Sequence, residues 1–192
     1  MNNIAISFGR KIPRYTCQIQ NKDTGSYIPA TIYEYNCKDE SDYEEVNSLN
    51  RRWAFKENIG RNMEAKHFVQ TYLNEKSNSS FYSMQANGET VGLAQVDTTN
   101  GVSNIKYITT KPRKEYKYVG QALIAGIGKQ ILKKNGYQMT VTTAIDDAIP
   151  FYKKIGFHEF GDYLFRMNSD DIKTLIEITE FVTDAPILDK KA

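Results

Sequence analysis

Three short segments near the middle of the chain show strand-like alternation of apolar and polar residues. They span residues 81–86, 90–96 and 102–109, and the turn sequences Asn87-Gly88 and Asn100-Gly101 separate them. Alternation with a period of two is typical of strands that bury one face. An Asn-Gly pair favours a two-residue hairpin turn, because both of its central positions take positive φ. The pattern therefore predicts a three-stranded antiparallel meander.

The beginning of the chain has a similar pattern. Strand-like runs occur at residues 4–8, 15–20 and 30–35, and we expect residues 1–29 to form an N-terminal β-hairpin extension. A hairpin that turns near residues 23–25 pairs Cys17 with about position 30. Cys37 then lies roughly 20 Å farther along the strand at ~3.3 Å per residue. We therefore expect no disulfide between the two cysteines.

Helical spacing dominates several of the remaining segments. Residues 119–135 form an amphipathic pattern that stops at Asn135-Gly136, a common helix C-terminus. A strand at 139–144 follows, and this strand–helix–strand order implies a right-handed crossover with parallel pairing. The other predicted elements are helices at 39–49, 63–75, 147–155 and from residue 169 onward, and strands at 157–160 and 163–167. Together they predict an α/β fold with a mixed sheet, in which an antiparallel meander precedes a β-α-β crossover with flanking helices.

Composition and charge exclude several classes of function. The chain has 192 residues, 40% of them hydrophobic and 25% charged, which suffices for one full core. Its formal net charge of +2 is too small to argue for nucleic-acid binding. Positive charge is concentrated locally, because Glu115 is the single acidic residue in the segment 106–118. The basic residues of this segment are Lys106, Lys111, Arg113, Lys114 and Lys117. We expect this segment to attract an anionic ligand.

Two further kinds of site find no support in the sequence. The first ten residues lack a basic region followed by an apolar run, and no apolar run approaches the ~20 residues of a membrane span. We therefore expect a cytoplasmic protein without a membrane partner. The two histidines and two cysteines show no metal-ligand spacing, so no metal site is predicted.

Gly120 opens the predicted helix directly after the basic segment. A glycine lets the backbone approach a ligand closely, and the N–H groups of a first helical turn have no partner within the helix. Together these properties are typical of a phosphate-binding cradle. The alternative is that Gly120 is a packing glycine at the start of a helix.

Two motifs in this region resemble those of the GNAT superfamily of N-acetyltransferases. The first family motif is Arg or Gln, two residues, Gly, one residue, then Gly or Ala, and Lys117-Tyr-Val-Gly-Gln-Ala122 is similar to it. The second is Ala-x-x-Phe-Tyr-x-x-x-Gly-Phe, which the segment 148–157 matches throughout. The resemblance covers roughly residues 30–167. It implies a GNAT-like acyl-CoA N-acyltransferase core at residues 30–168, with a C-terminal helix and tail at 169–192.

The resemblance also implies a co-substrate and site residues. The co-substrate is acetyl-CoA, and Tyr152 is the expected general acid that protonates the departing thiolate. The pantetheine arm is expected to pair with the backbone of Tyr107, Ile108 and Thr109. The residues expected around the phosphates are Lys117, Tyr118, Val119, Gly120, Gln121 and Ala122. The alternative for Tyr152 is an ordinary core aromatic residue.

Three features depart from the family pattern. Lys117 stands where Arg or Gln is usual, Ile145 stands where Asn is common, and the strand at 102–109 has no Asp or Glu where many relatives place a general base. Candidate bases elsewhere are Asp97, Glu115, Asp146 and Asp147, and the sequence does not select one of them.

The predicted function is N-acetylation of a primary amine on a small molecule, peptide or protein by direct attack. The departures motivate an alternative, a non-catalytic acyl-CoA-binding or sensor module of the same fold. Trp53 and Phe55 could line the acceptor cleft or form a buried staple. The segments at 1–29 and after residue 169 could form a homodimer contact or shape that cleft. Nucleic-acid binding ranks last, because the phosphates of the cofactor already account for the basic segment.

Overall fold

One mixed sheet organises the part of the chain that the computed structural model describes, residues 12–35, 79–111, 115–142, 144 and 146–184. Its strands are β1 (Ile12–Asn21), β2 (Tyr27–Tyr35), β3 (Ser79–Ala86), β4 (Glu89–Thr99), β5 (Val102–Thr110), β6 (Tyr116–Lys117), β7 (Gln138–Val141), β8 (His158–Gly161) and β9 (Leu164–Asn168). The helices are α1 (Val119–Lys133), α2 (Ile149–Lys154) and α3 (Ser169–Asp184), with a 3₁₀ turn at Asp146–Ala148 before α2. The strand order is β6-β1-β2-β3-β4-β5-β7-β9-β8.

The predicted hairpin and meander are both confirmed. Strands β1 and β2 pair antiparallel with Cys17 opposite Ala30, and Cys17 is a free, buried thiol. Strands β3, β4 and β5 follow as antiparallel neighbours. Their two turns take positive φ at Asn87 (50°), Gly88 (73°), Asn100 (52°) and Gly101 (79°). The Asn-Gly pairs therefore form the turns expected of them.

Several predictions lie outside the described residues. They are the strand at 4–8, the helices at 39–49 and 63–75, and the roles considered for Cys37, Trp53, Phe55, Arg113, Lys114 and Ile145. The division of the chain at residues 29 and 168 also stays a prediction. Strand β1 lies in the same sheet as the rest of the described strands and contributes to the same core.

The β-α-β crossover is confirmed, and its parallel ladder is short. Strand β5 pairs with β7 from Val102 opposite Gln138 to Ile105 opposite Val141. Strand β5 then continues to Thr110, five residues beyond the last pair. The strand predicted at 139–144 is observed as β7 and ends earlier than predicted, at Val141. Helix α1 ends as predicted, with Asn135 at a φ of 59° and the Gly136 amide donating to the Ile131 carbonyl at 2.8 Å.

Helix α1 packs closely on one face of the sheet. A Cβ added at Gly126 would lie 2.4 Å from Ile32 Cδ1 and 2.8 Å from Tyr15 Cδ1. On another side of α1, a Cβ at Gly128 would lie 2.7 Å from Ile172 Cγ2 of α3. Glycine at these positions therefore allows the sheet and α3 to approach the α1 backbone. We call the sheet face under α1 the helix face.

A buried charge cluster joins the end of α1 to strands β1 and β2. The Glu34 carboxylate, in a residue that is 9% exposed, accepts hydrogen bonds from Arg14 Nε at 2.6 Å and Lys134 Nζ at 3.1 Å. Burial alone would raise the pKa of Glu34, but Lys134 and Arg14 outweigh it and lower that pKa. The cluster compensates a charge that would otherwise be costly to bury.

Burial raises the pKa of the Cys17 thiol from 9.0 to about 12. Because the folded-state pKa is raised, the thiol's contribution to stability is complete below pH 9 and is lost as the pH rises toward 12. Between pH 8 and pH 10 the wild type should therefore lose about 1.4 kcal/mol more unfolding free energy than Cys17→Ala. Chemical denaturation at both pH values under reducing conditions measures the difference. Equal losses in the two proteins would contradict this account.

Candidate functional site

Strand β5 bulges where its pairing with β7 ends. Gln95 of β4 pairs with Tyr107, whereas the next residue, Val96, pairs with Ile105, so Lys106 is an extra residue on β5. A bulge of this kind bends its strand and increases the local twist. Three residues predicted to contact the cofactor, Tyr107, Ile108 and Thr109, follow the bulge directly. They lie in the part of β5 that extends beyond the β7 ladder.

The N-terminus of α1 lies beside this part of β5. A Cβ at Gly92 would be 3.0 Å from Val119 Cγ1 and 3.6 Å from the Thr109 carbonyl oxygen, so Gly92 lets the two elements meet. The Ala122 amide donates to the Tyr118 carbonyl at 2.8 Å, which is the first hydrogen bond of the helix. No described residue accepts a hydrogen bond from the preceding three amides, those of residues 119–121. Of the amides in the predicted cradle, that of Ala122 is therefore used within the helix.

A two-residue strand, β6, directly precedes α1, and the sequence pattern did not predict it. Tyr116 and Lys117, which belong to the basic segment, pair antiparallel with Asn21 and Gln20 of β1. Two residues are too few for a periodic pattern to be visible. Tyr118 then takes a left-handed conformation with a φ of 68° and is 39% exposed. Lys117 is exposed and lies close in sequence to the amides of the cradle.

Helices α1 and α2 pack against each other at Gly120. A Cβ at Gly120 would lie 3.0 Å from Phe151 Cζ and 3.3 Å from Phe151 Cε2. This contact is the one expected of a packing glycine. It leaves the Gly120 amide available, so packing and ligand binding are compatible at this position. The residue after Phe151 is Tyr152, which the contact therefore places near the start of α1.

Tyr152 is buried beside the last rung of the β5–β7 ladder. It is 4% exposed, and its ring stacks on Phe165 at 5.9 Å and meets the edge of Phe157 at 5.5 Å between centroids. Phe165 pairs with Val141, the residue at which the ladder ends. Burial raises the pKa of Tyr152 to about 12, so the phenol stays protonated at neutral pH. Tyr152 is thus both a core aromatic residue and a protonated hydroxyl near the candidate cofactor path.

Strand β4 supplies carboxylates to two lysines of the basic segment, Lys106 and Lys111. Lys111 Nζ donates to Glu89 Oε2 at 2.5 Å and to Glu115 Oε2 at 2.8 Å. Burial alone would lower the pKa of Lys111, but these two carboxylates raise it. The residues around a nearby cavity of about 190 Å³ include Lys22, Thr110, Lys111, Glu115 and Val119.

The four candidate bases lie in different surroundings. Glu115 is engaged by Lys111 at 2.8 Å. Asp146 and Asp147 are exposed in the 3₁₀ turn before α2. Asp97 accepts a hydrogen bond from Ser79, and its Oδ2 lies 3.6 Å from Lys106 Nζ at the bulge. Asp97 alone among the four lies on the strand that pairs with the bulged part of β5.

The described residues contain neither a metal-ligand cluster nor a membrane-spanning helix. Among them, no group of three or more His, Cys, Asp or Glu side chains could hold a metal ion. Of the helices in the same part of the chain, none has the length and apolar character needed to cross a membrane.

Residues 37–172 match the family model of the acetyltransferase (GNAT) domain. The chain belongs to the GNAT acetyltransferase family. The predicted family, the α/β fold and the assignment as an acyltransferase are thereby confirmed. The GNAT match begins after β2 and includes the β5–β7 ladder, α1 and Tyr152. No curated protein sequence matched the chain significantly.

Solved structures share the fold at low sequence identity. A GNAT-family protein from Desulfovibrio desulfuricans is 16% identical, with a TM-score of 0.55 over 73% of this chain and 99% of that chain. Tetrahymena GCN5 is 13% identical, with a TM-score of 0.53 over 68% and 90% of the two chains. The ribosomal-protein-S18-alanine N-acetyltransferase of Escherichia coli is 16% identical, with a TM-score of 0.51 over 72% and 93%. These similarities concern the fold alone.

Gly120→Ala should lower the unfolding free energy by roughly 1–3 kcal/mol, because the new Cβ would press on the Phe151 ring. Helix propensity alone predicts the opposite sign, a gain of up to about 1 kcal/mol. Adding Phe151→Leu should restore most of the loss by making room. Denaturant titrations of the two variants and the wild type measure these differences. A Gly120→Ala protein that is more stable than the wild type would refute the packing contact.

Proposed function

We propose that this GNAT protein is an N-acetyltransferase that moves an acetyl group from acetyl-CoA to a primary amine on a small molecule, peptide or protein. One observation carries the proposal. The end of the β5–β7 ladder, the N-terminal amides of α1 and the side chain of Tyr152 lie at the same part of the sheet.

The residues at this place fit the chemical parts of acetyl-CoA. The amides of residues 119–121 and the positive end of the helix dipole suit its pyrophosphate, and no acidic residue occupies the first turn of α1. Lys117 adds an exposed positive charge nearby. The backbone of Tyr107, Ile108 and Thr109 suits the amides of the pantetheine arm, as an added strand would. When bound, acetyl-CoA supplies an activated thioester.

Tyr152 is the proposed general acid. A phenol, with an ordinary pKa near 10, is protonated at neutral pH, so Tyr152 can donate to a thiolate as the carbon–sulfur bond breaks. The ammonium that forms when an amine adds to the carbonyl replaces the proton. The surrounding rings of Phe151, Phe157 and Phe165 hold the side chain in place and limit access of water.

Tyr152→Phe should lower kcat by about 10²-fold, because it removes the proton donor and keeps the ring. The KM for acetyl-CoA should change little, since the proposed phosphate contacts come from α1. Thiol release across a panel of primary amines measures turnover. Stabilisation by saturating acetyl-CoA, measured as a shift in Tm, reports binding separately.

Tyr137→Phe is the matched control, because Tyr137 is 54% exposed and lies after the opposite end of α1. Unchanged kcat in Tyr152→Phe would remove Tyr152 from the mechanism. A wild type that is stabilised by acetyl-CoA but releases no thiol with any amine would instead support the non-catalytic sensor.

A further inference from the structure

Asp97 and Lys106 form an ion pair at the bulge of β5. Asp97 Oδ2 and Lys106 Nζ are 3.6 Å apart, and the side chains are 29% and 47% exposed. Lys106 is the extra residue of the bulge and directly follows the last residue of β5 that pairs with β7. The pair therefore lies where the proposed acetyl-CoA path meets the end of the ladder.

The pair and Tyr152 lie on opposite faces of the sheet. Val96 and Ile105 belong to the core on the helix face, and so does Tyr152. Side chains of a strand alternate between faces, so Asp97, which follows Val96, points to the other face. The ion pair then brings the Lys106 ammonium to that face as well. An acyl group at the ladder end would have Tyr152 on one side and Asp97 on the other.

Neighbouring side chains fix the Asp97 carboxylate. Ser79 Oγ donates to Asp97 Oδ1, and Gln95 Nε2 donates to Ser79 Oγ at 3.1 Å. Gln95 is 2% exposed and Ser79 is 8% exposed, so the support is buried while the carboxylate remains accessible. A carboxylate held in this way, with an ammonium already at 3.6 Å, is suited to bind a primary ammonium.

We propose that Asp97 binds the ammonium group of the acceptor, and that Lys106 occupies this position when no acceptor is bound. The preferred substrates are therefore amines that carry a positive charge at neutral pH. The inference deepens the proposed function and rests on it. It also selects Asp97 among the four candidate bases.

In the proposed reaction one proton transfer involves Asp97 and the other involves Tyr152, on opposite faces of the sheet. The acceptor ammonium gives one proton to the Asp97 carboxylate and becomes a neutral amine. Its nitrogen then bonds to the acetyl carbon, and the carbon–sulfur bond breaks. The second nitrogen proton passes to the departing thiolate through Tyr152, and Asp97 releases its proton to water. The products are the acetylated amine, CoA thiol and one proton in solution.

A binding experiment tests the ammonium site without turnover. Benzylamine is titrated calorimetrically into Lys106→Ala and into the double variant Asp97→Asn/Lys106→Ala, with no acetyl-CoA present. Benzylamine should bind the single variant roughly tenfold more tightly, because only that variant offers a charged carboxylate. Trimethylbenzylammonium, which has no N–H donors, should distinguish the two variants much less. Equal affinity of benzylamine for the two variants, or no binding to either, overturns the proposal.

A kinetic experiment tests the same site in the full reaction. Asp97→Asn should raise the KM for benzylamine about tenfold and also lower its kcat, because it removes both the partner of the ammonium and its proton acceptor. The KM for benzhydrazide, which is uncharged at neutral pH, should change less than about twofold. Glu180→Gln is the control, because it removes a carboxylate from another lysine pair, at 2.8 Å from Lys129 on the outer helices. Equal KM changes for both acceptors would make Asp97 a structural residue and overturn the proposal. If the wild type releases no thiol, the proposed function fails, and the calorimetric comparison still decides the ammonium site.

Discussion

The unequal length of two ladders on β5 is the constraint on which the candidate site depends. Strand β5 pairs with β4 along its whole length but with β7 only from Val102 to Ile105. A strand that continues beyond its partner offers a backbone edge to an extended ligand. The bulge at Lys106 falls at the same position, so the strand bends where the ladder ends. After the crossover through α1, β7 joins β5 at Gln138, opposite Val102, and the ladder ends three residues later at Val141, opposite Ile105.

Close packing around glycines links this edge to the groups that would act on a thioester. Gly92 lets Val119 pack on the sheet beside Thr109. The amides of residues 119–121, which have no acceptor among the described residues, therefore lie near the end of β5. Gly120 accepts the Phe151 ring, which brings Tyr152 toward the same end. In the proposed reaction the thiolate is protonated from the helix face and the amine enters from the other face, at Asp97. The proton donor for the thiolate and the binding site for the amine therefore lie on opposite faces of the sheet.

The regular part of the fold was predictable because its signals are local. The two Asn-Gly turns, the amphipathic period of α1 and its Asn-Gly end each determine structure within a few residues. The strand at Tyr116–Lys117 was missed because two residues show no period, and its partner, β1, is distant in sequence. The ion pairs of Lys106 and Lys111 were missed for a related reason. Asp97 and Glu89 lie on β4, and pairing across strands depends on a register and a bulge that sequence patterns do not reveal. The motif at residues 117–122 is visible in the sequence, but which of its amides lack an acceptor among the described residues depends on the first hydrogen bond of α1.

A crystal structure of the protein with CoA would show directly whether the ligand lies along the end of β5. The pantetheine arm should pair with the backbone of Tyr107 to Thr109, and pyrophosphate oxygens should accept hydrogen bonds from the amides of residues 119–121. The thiol should then lie between Tyr152 and the Asp97–Lys106 pair. CoA bound away from the end of the β5–β7 ladder, or with its thiol remote from Tyr152, would contradict the account.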